Sequence, residues 1–290
     1  MIAIARPMPA LSTLLRLGRI SNLPTVWTNV FAGSIIGGGA RPGQLMLVLS
    51  AMTAFYVGGM CLNDFFDRAI DSRDRPGRPI DAGEITAGAV CAIGFGLLAA
   101  GVVLMMPLGL AAASCGTILA ATIVLYDLWH KGNPLSPIVM GLCRALVYIG
   151  SCVAVTGGLS NTALIGACAL ASHVAGITYA AKQEGLDRVG KLWPLLMLAV
   201  PLLAALPGLT AWPVLTALVL LLAADARAVY LLANKPVPGA VPLAVSGLIA
   251  AICLVDAVAI AGVVGNSAVA AICVLGYPLT RMLQKIIPGT

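Results

Sequence analysis

Long apolar runs alternate with short polar breaks along almost the whole chain. Each run is close to the roughly 20 apolar residues that a helix needs to cross a bilayer. Proline and glycine mark several of the breaks, as at Pro207-Gly208. The pattern predicts an all-α polytopic membrane protein with nine transmembrane helices, at about 22–39, 44–62, 86–106, 108–127, 136–157, 161–181, 193–207, 212–233 and 241–264.

The composition supports the same class of protein. Hydrophobic residues make up 60% of the chain and charged residues only 10%, whereas soluble domains carry about 25% charged residues. The predicted helices use most of the 290 residues, so we expect one integral-membrane domain over 1–290. Residues 1–20 predict an interfacial amphipathic helix. Residues 266–290 predict a short apolar tail, because the apolar run 268–279 is too short to span.

Basic residues fall mainly on one side of the predicted bundle. That side carries thirteen, at positions 6, 16, 19, 68, 73, 75, 78, 131, 182, 188, 191, 227 and 235, against Arg41 on the other. The positive-inside rule therefore predicts an N-terminus inside, in a bacterial inner membrane or an organelle membrane. The net charge of +6 does not form a nucleic-acid footprint, and the eight scattered cysteines are typical of small buried hydrophobic residues.

Charge gathers in residues 64–78. If the preceding helix continues, four aspartates share one face within an arc of roughly 80°; they are Asp64, Asp67, Asp71 and Asp74. Like charges stacked on a helix need neutralisation. Carboxylate oxygens suit Mg²⁺, which often completes its shell with phosphate oxygens.

We therefore interpret the stretch as a seat for Mg²⁺ and a diphosphate on the inside face of the membrane. Asn63 could add an oxygen, and the arginines of the stretch are suited to gripping phosphate; they are Arg68, Arg73, Arg75 and Arg78. A solvated charged loop, whose acids and bases neutralise each other, is the alternative.

The order Asn63-Asp64-x-x-Asp67-x-x-x-Asp71, followed by Arg75-Pro-Gly-Arg78-Pro, resembles the first aspartate-rich motif of the UbiA superfamily of intramembrane aromatic prenyltransferases. The resemblance implies a Mg²⁺-dependent enzyme that moves a prenyl group from an isoprenoid diphosphate to an aromatic or other lipophilic acceptor. The segment Tyr126-x-x-x-His130-Lys131 is similar to that family's Tyr-x-x-x-Lys-Arg segment. The similarity implies that Tyr126 and Lys131 lie on the diphosphate side.

A second acidic pattern, Gln183-Glu184-x-x-Asp187-Arg188, repeats the chemistry of Asn63-Asp64-x-x-Asp67-Arg68 after 120 residues and suggests an internal duplication. We predict Glu184 and Asp187 as further metal ligands, with Lys182 and Arg188 beside the diphosphate. Aligned with the family's second motif, Asp-x-x-x-Asp, the chain has Gln183 in place of the first aspartate. Whether one or two metal ions bind therefore stays open. A surface ion pair between Glu184 and Arg188 is the alternative.

Polar residues inside the predicted spans complete the candidate site. Arg144 lies about nine residues inside its helix, where a charge is costly unless it faces a polar cavity. We predict that it binds the diphosphate, with pairing to Asp225 as the alternative. Asn22, Asn29 and Tyr179 are candidates for the acceptor or prenyl pocket, although helix–helix hydrogen bonding would also explain the asparagines.

Two other functions stay open. A CDP-alcohol phosphotransferase also uses membrane aspartates, but its signature needs an Asp-Gly pair that is missing from the 64–78 stretch. A cation-coupled transporter would place charges at mid-membrane, and Arg144, Asp225 and Asp256 partly fit that requirement. The acceptor and the prenyl chain length are not identified by the sequence.

Overall fold

The computed structural model describes residues 10–74, 77–182, 191–235 and 237–289, without the side chains at 71–74 and 207. The regular structure in these ranges is helical. Its α-helices are α1 (Leu11–Leu17), α2 (Leu23–Ile36), α3 (Pro42–Asp74), α4 (Ala87–Met105), α5 (Leu110–Trp129), α6 (Ser136–Thr156), α7 (Asn161–Ala181), α8 (Trp212–Asn234), α9 (Ala240–Val263) and α10 (Ser267–Ile286). A 3₁₀ segment, Trp193–Gly208, lies between α7 and α8.

The all-α membrane fold is confirmed, whereas the number of nine spans is not. In the described ranges, seven helices are long and apolar enough to cross a membrane. Helix α2 has only 14 residues, because the glycines that follow it leave the helix with positive φ at Gly38 and Gly39. The predicted helix at 193–207 is the 16-residue 3₁₀ segment.

Helix α3 is longer than the predicted 44–62. It runs for 33 residues, about 50 Å at 1.5 Å per residue, well beyond a hydrocarbon core of about 30 Å. Its apolar part ends at Ile70. The aspartate-rich stretch therefore continues the helix as it leaves the apolar region, which keeps Asp64 and Asp67 on a rigid element.

Helix α9 forms the centre of the bundle. Its apolar window is 78% buried, against 22–61% for the six other candidate spans. Alanines on this helix, among them Ala244 and Ala251, are buried and let neighbouring helices approach closely. The single acid of α9, Asp256, is consequently enclosed by protein.

The C-terminal stretch extends further as a helix than the apolar run 268–279 suggested, since α10 has 20 residues. It packs on α9 and α2. Gln284 donates a hydrogen bond to Asn22 (3.0 Å), and Asn22 donates to the carbonyl of Gly289 (2.9 Å). The end of the chain is thereby attached to the start of α2.

Of the predicted interfacial helix 1–20, the described part contains the seven-residue α1. Thr13 donates a hydrogen bond to Glu84 (2.5 Å), and Arg16 forms an ion pair with the same carboxylate. These bonds from Thr13 and then from Arg16 hold the pKa of Glu84 below its usual value. The loop that carries Arg78 is therefore attached to the N-terminal segment.

Gly33 provides a test of the helix packing. A Cβ at this position would lie 2.5 Å from the carbonyl oxygen of Tyr148 on α6, so Gly33→Ala should cost about 2 kcal/mol by overpacking. Gly96→Ala on α4 is the control, because a Cβ there meets nothing within 4 Å. Thermal unfolding in detergent should show a lower melting temperature for Gly33→Ala alone; equal melting temperatures would contradict the predicted contact.

Candidate functional site

A cavity of about 480 Å³ opens among the ends of several helices. Charged and amide side chains gather where α3 and α5 end; those that line the cavity there are Arg19, Asn63, Asp67, Arg78, Asp127, His130, Lys131 and Lys182. Further inside, the walls are mainly apolar, with Met52, Phe55, Leu119, Val147 and Ile252. We call the polar end the mouth. An amphipathic ligand with an anionic head suits this distribution.

Asp64 and Asp67 lie on the last turns of the apolar part of α3, and both are buried. Asp67 lines the mouth, whereas Asp64 lies beside it and contacts two arginines that line the mouth. Asp64 accepts a hydrogen bond from Nη2 of Arg19 at 3.2 Å and forms an ion pair with Arg78. Asp67 lies near Nε2 of His130 (3.3 Å) and Nζ of Lys131 (3.2 Å). Asp64 is therefore compensated by two arginines and Asp67 by Lys131, with the His130 ring beside it.

Both the backbone conformation of Arg19 and its ion pair with Asp64 fix the position of its side chain. Its φ of 42° places it in the left-handed region, which is uncommon for a residue other than glycine. Its carbonyl accepts a hydrogen bond from the Tyr56 hydroxyl (3.3 Å). The guanidinium also reaches Oδ1 of Asn63 (3.4 Å). The sequence reasoning counted Arg19 only as one of the basic inside residues.

Asp127 is a second residue that the sequence reasoning did not assign. It is buried, and its Oδ1 accepts a hydrogen bond from Asn63 (3.2 Å), while its Oδ2 has no hydrogen-bond partner. His130, three residues later, stacks on Tyr126 with ring centroids 4.9 Å apart. Tyr126 and Lys131 match the family's Tyr-x-x-x-Lys-Arg segment, and Asp127 lies between them. This position was the one feature of the sequence that could have identified Asp127 as a site residue.

Three predicted residues are turned away from the acid pair. Arg68 bends back onto its own helix, where it donates to the carbonyl of Phe65 (2.7 Å) and covers the Phe65 ring. Tyr179 donates to the carbonyl of Lys191 (2.8 Å) and is not among the residues that line the cavity. Lys182 lines the mouth, but its ammonium bonds Ser136 (2.7 Å) and the carbonyl of Asn133.

Arg144 lines the cavity on the inner side of the mouth. Its guanidinium donates to Oδ1 of Asn29 (2.9 Å) and to the hydroxyl of Thr25 (3.2 Å). The alternative partner, Asp225, makes no bond to it in the described contacts. Asn29 in turn donates to Asp256 (2.8 Å). Asn29 itself lies behind the cavity wall, as a support for Arg144.

The oxygens at the mouth fit a magnesium ion. Asp64, Asp67 and Asn63 supply carboxylate and amide oxygens, and Oδ2 of Asp127 is buried without a hydrogen bond. Such hard ligands are those that Mg²⁺ prefers, and it needs only one or two carboxylates when a substrate phosphate completes its shell. In the described ranges, no three acidic, histidine or cysteine side chains cluster closely enough to bind a metal without such a ligand.

Several predicted site residues lie outside the described residues. These are Arg75, Gln183, Glu184, Asp187 and Arg188, together with the side chains of Asp71, Arg73 and Asp74. The second acidic pattern therefore stays a prediction, as does the choice between Gln183 and Glu184 as a ligand.

The fold is a helical membrane bundle, and its cavity has a charged mouth and apolar walls. These features are typical of integral-membrane proteins that bind amphipathic phosphates. The chain matches the UbiA prenyltransferase family over residues 22–239. It belongs to that family, and the resemblance noted in the aspartate-rich stretch is confirmed.

Curated relatives of the chain include digeranylgeranylglyceryl phosphate synthases. The chain is 29% identical over 171 residues to a digeranylgeranylglyceryl phosphate synthase of Halobacterium salinarum. The aligned region covers 58% of this chain and 56% of that protein. The chain thus spans about half the length of the curated relatives it matches.

Two solved structures share the fold. A structure described for digeranylgeranylglyceryl phosphate synthase in membranes has a TM-score of 0.64 at 20% identity and covers 88% of this chain and 99% of that one. A UbiA homolog from Archaeoglobus fulgidus bound to DMAPP and Mg²⁺ has a TM-score of 0.57 at 14% identity and covers 85% of this chain and 99% of that one.

The contacts of Arg19 generate a prediction. If Arg19 exchanges Asp64 for a phosphate oxygen of a bound diphosphate, Arg19→Ala removes one charge-assisted hydrogen bond to the ligand, worth about 1.5–3 kcal/mol, and should weaken binding of geranyl diphosphate with Mg²⁺ by about tenfold or more. Arg41→Ala, which removes the same charge from an exposed position at the start of α3, should leave binding unchanged. Ligand-dependent thermal shifts in detergent measure both, and equal affinities for the two variants would contradict this role for Arg19.

Proposed function

We propose that this protein is a Mg²⁺-dependent intramembrane prenyltransferase. It transfers a prenyl group from an isoprenoid diphosphate to a lipophilic acceptor and releases diphosphate. The observation that carries the proposal is a pair of buried acids next to basic side chains, with Asp67 at the mouth of an apolar cavity and Asp64 beside it. The family membership and the DMAPP and Mg²⁺ found with a homolog of the same fold support it.

The residues at the mouth take defined roles. Asp64 and Asp67 hold Mg²⁺ with help from Asn63, and Asp71, Glu184 and Asp187 extend the acidic set. Basic side chains exchange their aspartate partners for phosphate oxygens when the substrate enters; they are Arg19, Arg78, His130 and Lys131, with Lys182, Arg75 and Arg188 as further candidates. Tyr126 supports His130 by stacking.

The chemistry follows from this distribution of charge. Bound Mg²⁺ supplies Lewis-acid stabilisation of the diphosphate. The bond between the allylic carbon and the diphosphate oxygen breaks, and both electrons leave with the diphosphate, where Arg78 and Lys131 stabilise the developing charge. The apolar walls, such as Phe55, exclude water from the allylic cation. The acceptor forms the new bond to carbon and loses a proton, which the released diphosphate accepts.

The relatives suggest an acceptor, and the charge pattern suggests which side of the membrane carries the site. The name digeranylgeranylglyceryl phosphate synthase makes a glyceryl phosphate lipid a candidate acceptor beside the aromatic acceptors implied by the sequence. The excess of basic residues on one side supports a cytoplasmic position for the mouth and the N-terminus. The phosphotransferase and transporter alternatives gain no support from the family match.

The acid pair is the part of the site to test. Asp64→Asn and Asp67→Asn should each lower the turnover of a geranyl diphosphate transfer assay by at least about a hundredfold, because the developing charge loses its stabilisation. Asp81→Asn, on the exposed loop after α3, should retain activity. Chelation should abolish transfer by the wild-type protein, and added Mg²⁺ should restore it. Near-normal turnover in either site variant at saturating Mg²⁺ would contradict the proposal.

A further inference from the structure

Asp127 is a buried acid at the mouth that the reaction described above leaves without a role. It lies near the end of α5 and lines the cavity, and it is only 5% exposed. In the described part of the chain, its Oδ2 atom has no hydrogen-bond partner. A buried carboxylate oxygen without a partner costs free energy, so stability alone does not account for Asp127. Its hydrogen bond with Asn63 indicates what it does.

The amide of Asn63 lies between two groups of opposite charge. Its Nδ2 atom donates a hydrogen bond to Oδ1 of Asp127 (3.2 Å). Its Oδ1 atom accepts one from Nη2 of Arg19 (3.4 Å). An amide has one accepting oxygen and one donating nitrogen, a guanidinium can only donate, and a carboxylate accepts. Only the observed orientation of the amide therefore satisfies both neighbours.

Binding of the donor substrate would change this balance on one side only. When Arg19 exchanges its partners for phosphate oxygens, as in the proposed function, the bond to Asp127 is the remaining constraint on the Asn63 amide. The Oδ1 atom, on the side of the amide away from Asp127, then has its lone pairs available to a metal ion. Without Asp127 the amide could turn and present its NH₂ group, which carries hydrogens and does not bind a cation.

Asn63 is well placed to share a metal ion with Asp67. The two residues are four positions apart on α3, so they are neighbours on one face of the helix, and both line the mouth. Amide and carboxylate oxygens both suit Mg²⁺. Asp127 comes from another helix, and in the described ranges it forms no cluster of three acids with those of α3 that could hold a metal. It is therefore suited to act through Asn63.

We propose that Asp127 is a positioning residue for the metal site. It fixes the amide of Asn63 so that the carbonyl oxygen, and not the NH₂ group, is presented to Mg²⁺. This inference rests on the proposed function. Because Asp127 acts through Asn63, its effect on metal affinity should depend on the presence of the Asn63 side chain.

The test measures metal binding without turnover. Mn²⁺, which takes the same oxygen ligands as Mg²⁺, is titrated into the protein with the unreactive donor analogue geranyl S-thiolodiphosphate. Electron paramagnetic resonance reports the free Mn²⁺, and a titration of the analogue alone gives the metal that it binds by itself. Asp127→Asn should raise the dissociation constant for Mn²⁺ by about tenfold, because the amide of Asn63 loses its fixed orientation. Asp81→Asn, the same change on the exposed loop after α3, should leave the constant unchanged.

A double-mutant cycle separates positioning from the effect of charge alone. Asn63→Ala should raise the dissociation constant for Mn²⁺ by about tenfold, and adding Asp127→Asn to it should raise the constant by less than about a further twofold. A double variant weakened about a hundredfold would mean that Asp127 acts on the metal independently of Asn63. That result would overturn the inference.

Exchanging the two side chains provides a test that does not depend on the folding of Asp127→Asn alone. The variant Asn63→Asp with Asp127→Asn keeps the net charge and the hydrogen bond, with donor and acceptor reversed. The two oxygens of the new carboxylate are equivalent, so it needs no fixed orientation. This variant should bind Mn²⁺ within about threefold of the wild-type protein, and a loss of about tenfold or more would overturn the inference.

Transfer kinetics add a measurement that a purely structural role would not change. In Asp127→Asn, the Mg²⁺ concentration for half-maximal rate should rise by about tenfold, whereas kcat at saturating Mg²⁺ should stay within about threefold. A lower kcat with an unchanged Mg²⁺ requirement would overturn the inference. A wild-type protein that binds no Mn²⁺ with the analogue would instead reject the proposed function. Wild-type binding that is unchanged in Asp127→Asn would reject the inference alone.

Discussion

The electrostatic compensation of two buried carboxylates governs this structure. Asp64 and Asp67 lie where α3 leaves the apolar region, and buried charges are tolerated only when paired. Their partners come from separate parts of the chain: Arg19 precedes α2, Arg78 follows α3, and His130 and Lys131 follow α5. The ends of these elements therefore meet at one point. Acidic and basic side chains are thus already in place together. A metal ion can bind to the acids and a diphosphate to the basic side chains, so that these two ligands replace the ion pairs.

A second buried network sets the inner end of the cavity. Arg144, Asn29, Asp256 and Tyr148 connect α6, α2 and α9 through hydrogen bonds inside an apolar bundle. Removing one member of such a network leaves the others unsatisfied, so it fixes the relative position of the three helices as well as the orientation of Arg144. The cavity thus combines two polar ends with apolar walls.

The sequence predicted the parts of the fold that depend on local pattern. Apolar runs located the helices, and helical spacing identified Asp64 and Asp67 as neighbours. The number of spans could not be read in the same way, because α2 ends early at a run of glycines and Trp193–Gly208 winds as a 3₁₀ helix. Contacts between distant positions were also missed. Arg19 meets Asp64 across 45 residues, and Asn29 meets Asp256 across 227. Arg68 was predicted to contact phosphate from its position in the motif; its guanidinium covers the Phe65 ring, and the phosphate contact stays a prediction.

We propose above all that the charged mouth binds the diphosphate of the donor through Mg²⁺. The most direct measurement is an experimental structure of the protein with Mg²⁺ and geranyl S-thiolodiphosphate, a donor analogue that resists ionisation. The account predicts a metal ion in contact with Asp64 or Asp67, the diphosphate beside Arg78 and Lys131, and the geranyl chain along the apolar walls. A diphosphate bound elsewhere in the cavity, with the ion pairs of Asp64 and Asp67 intact, would contradict it.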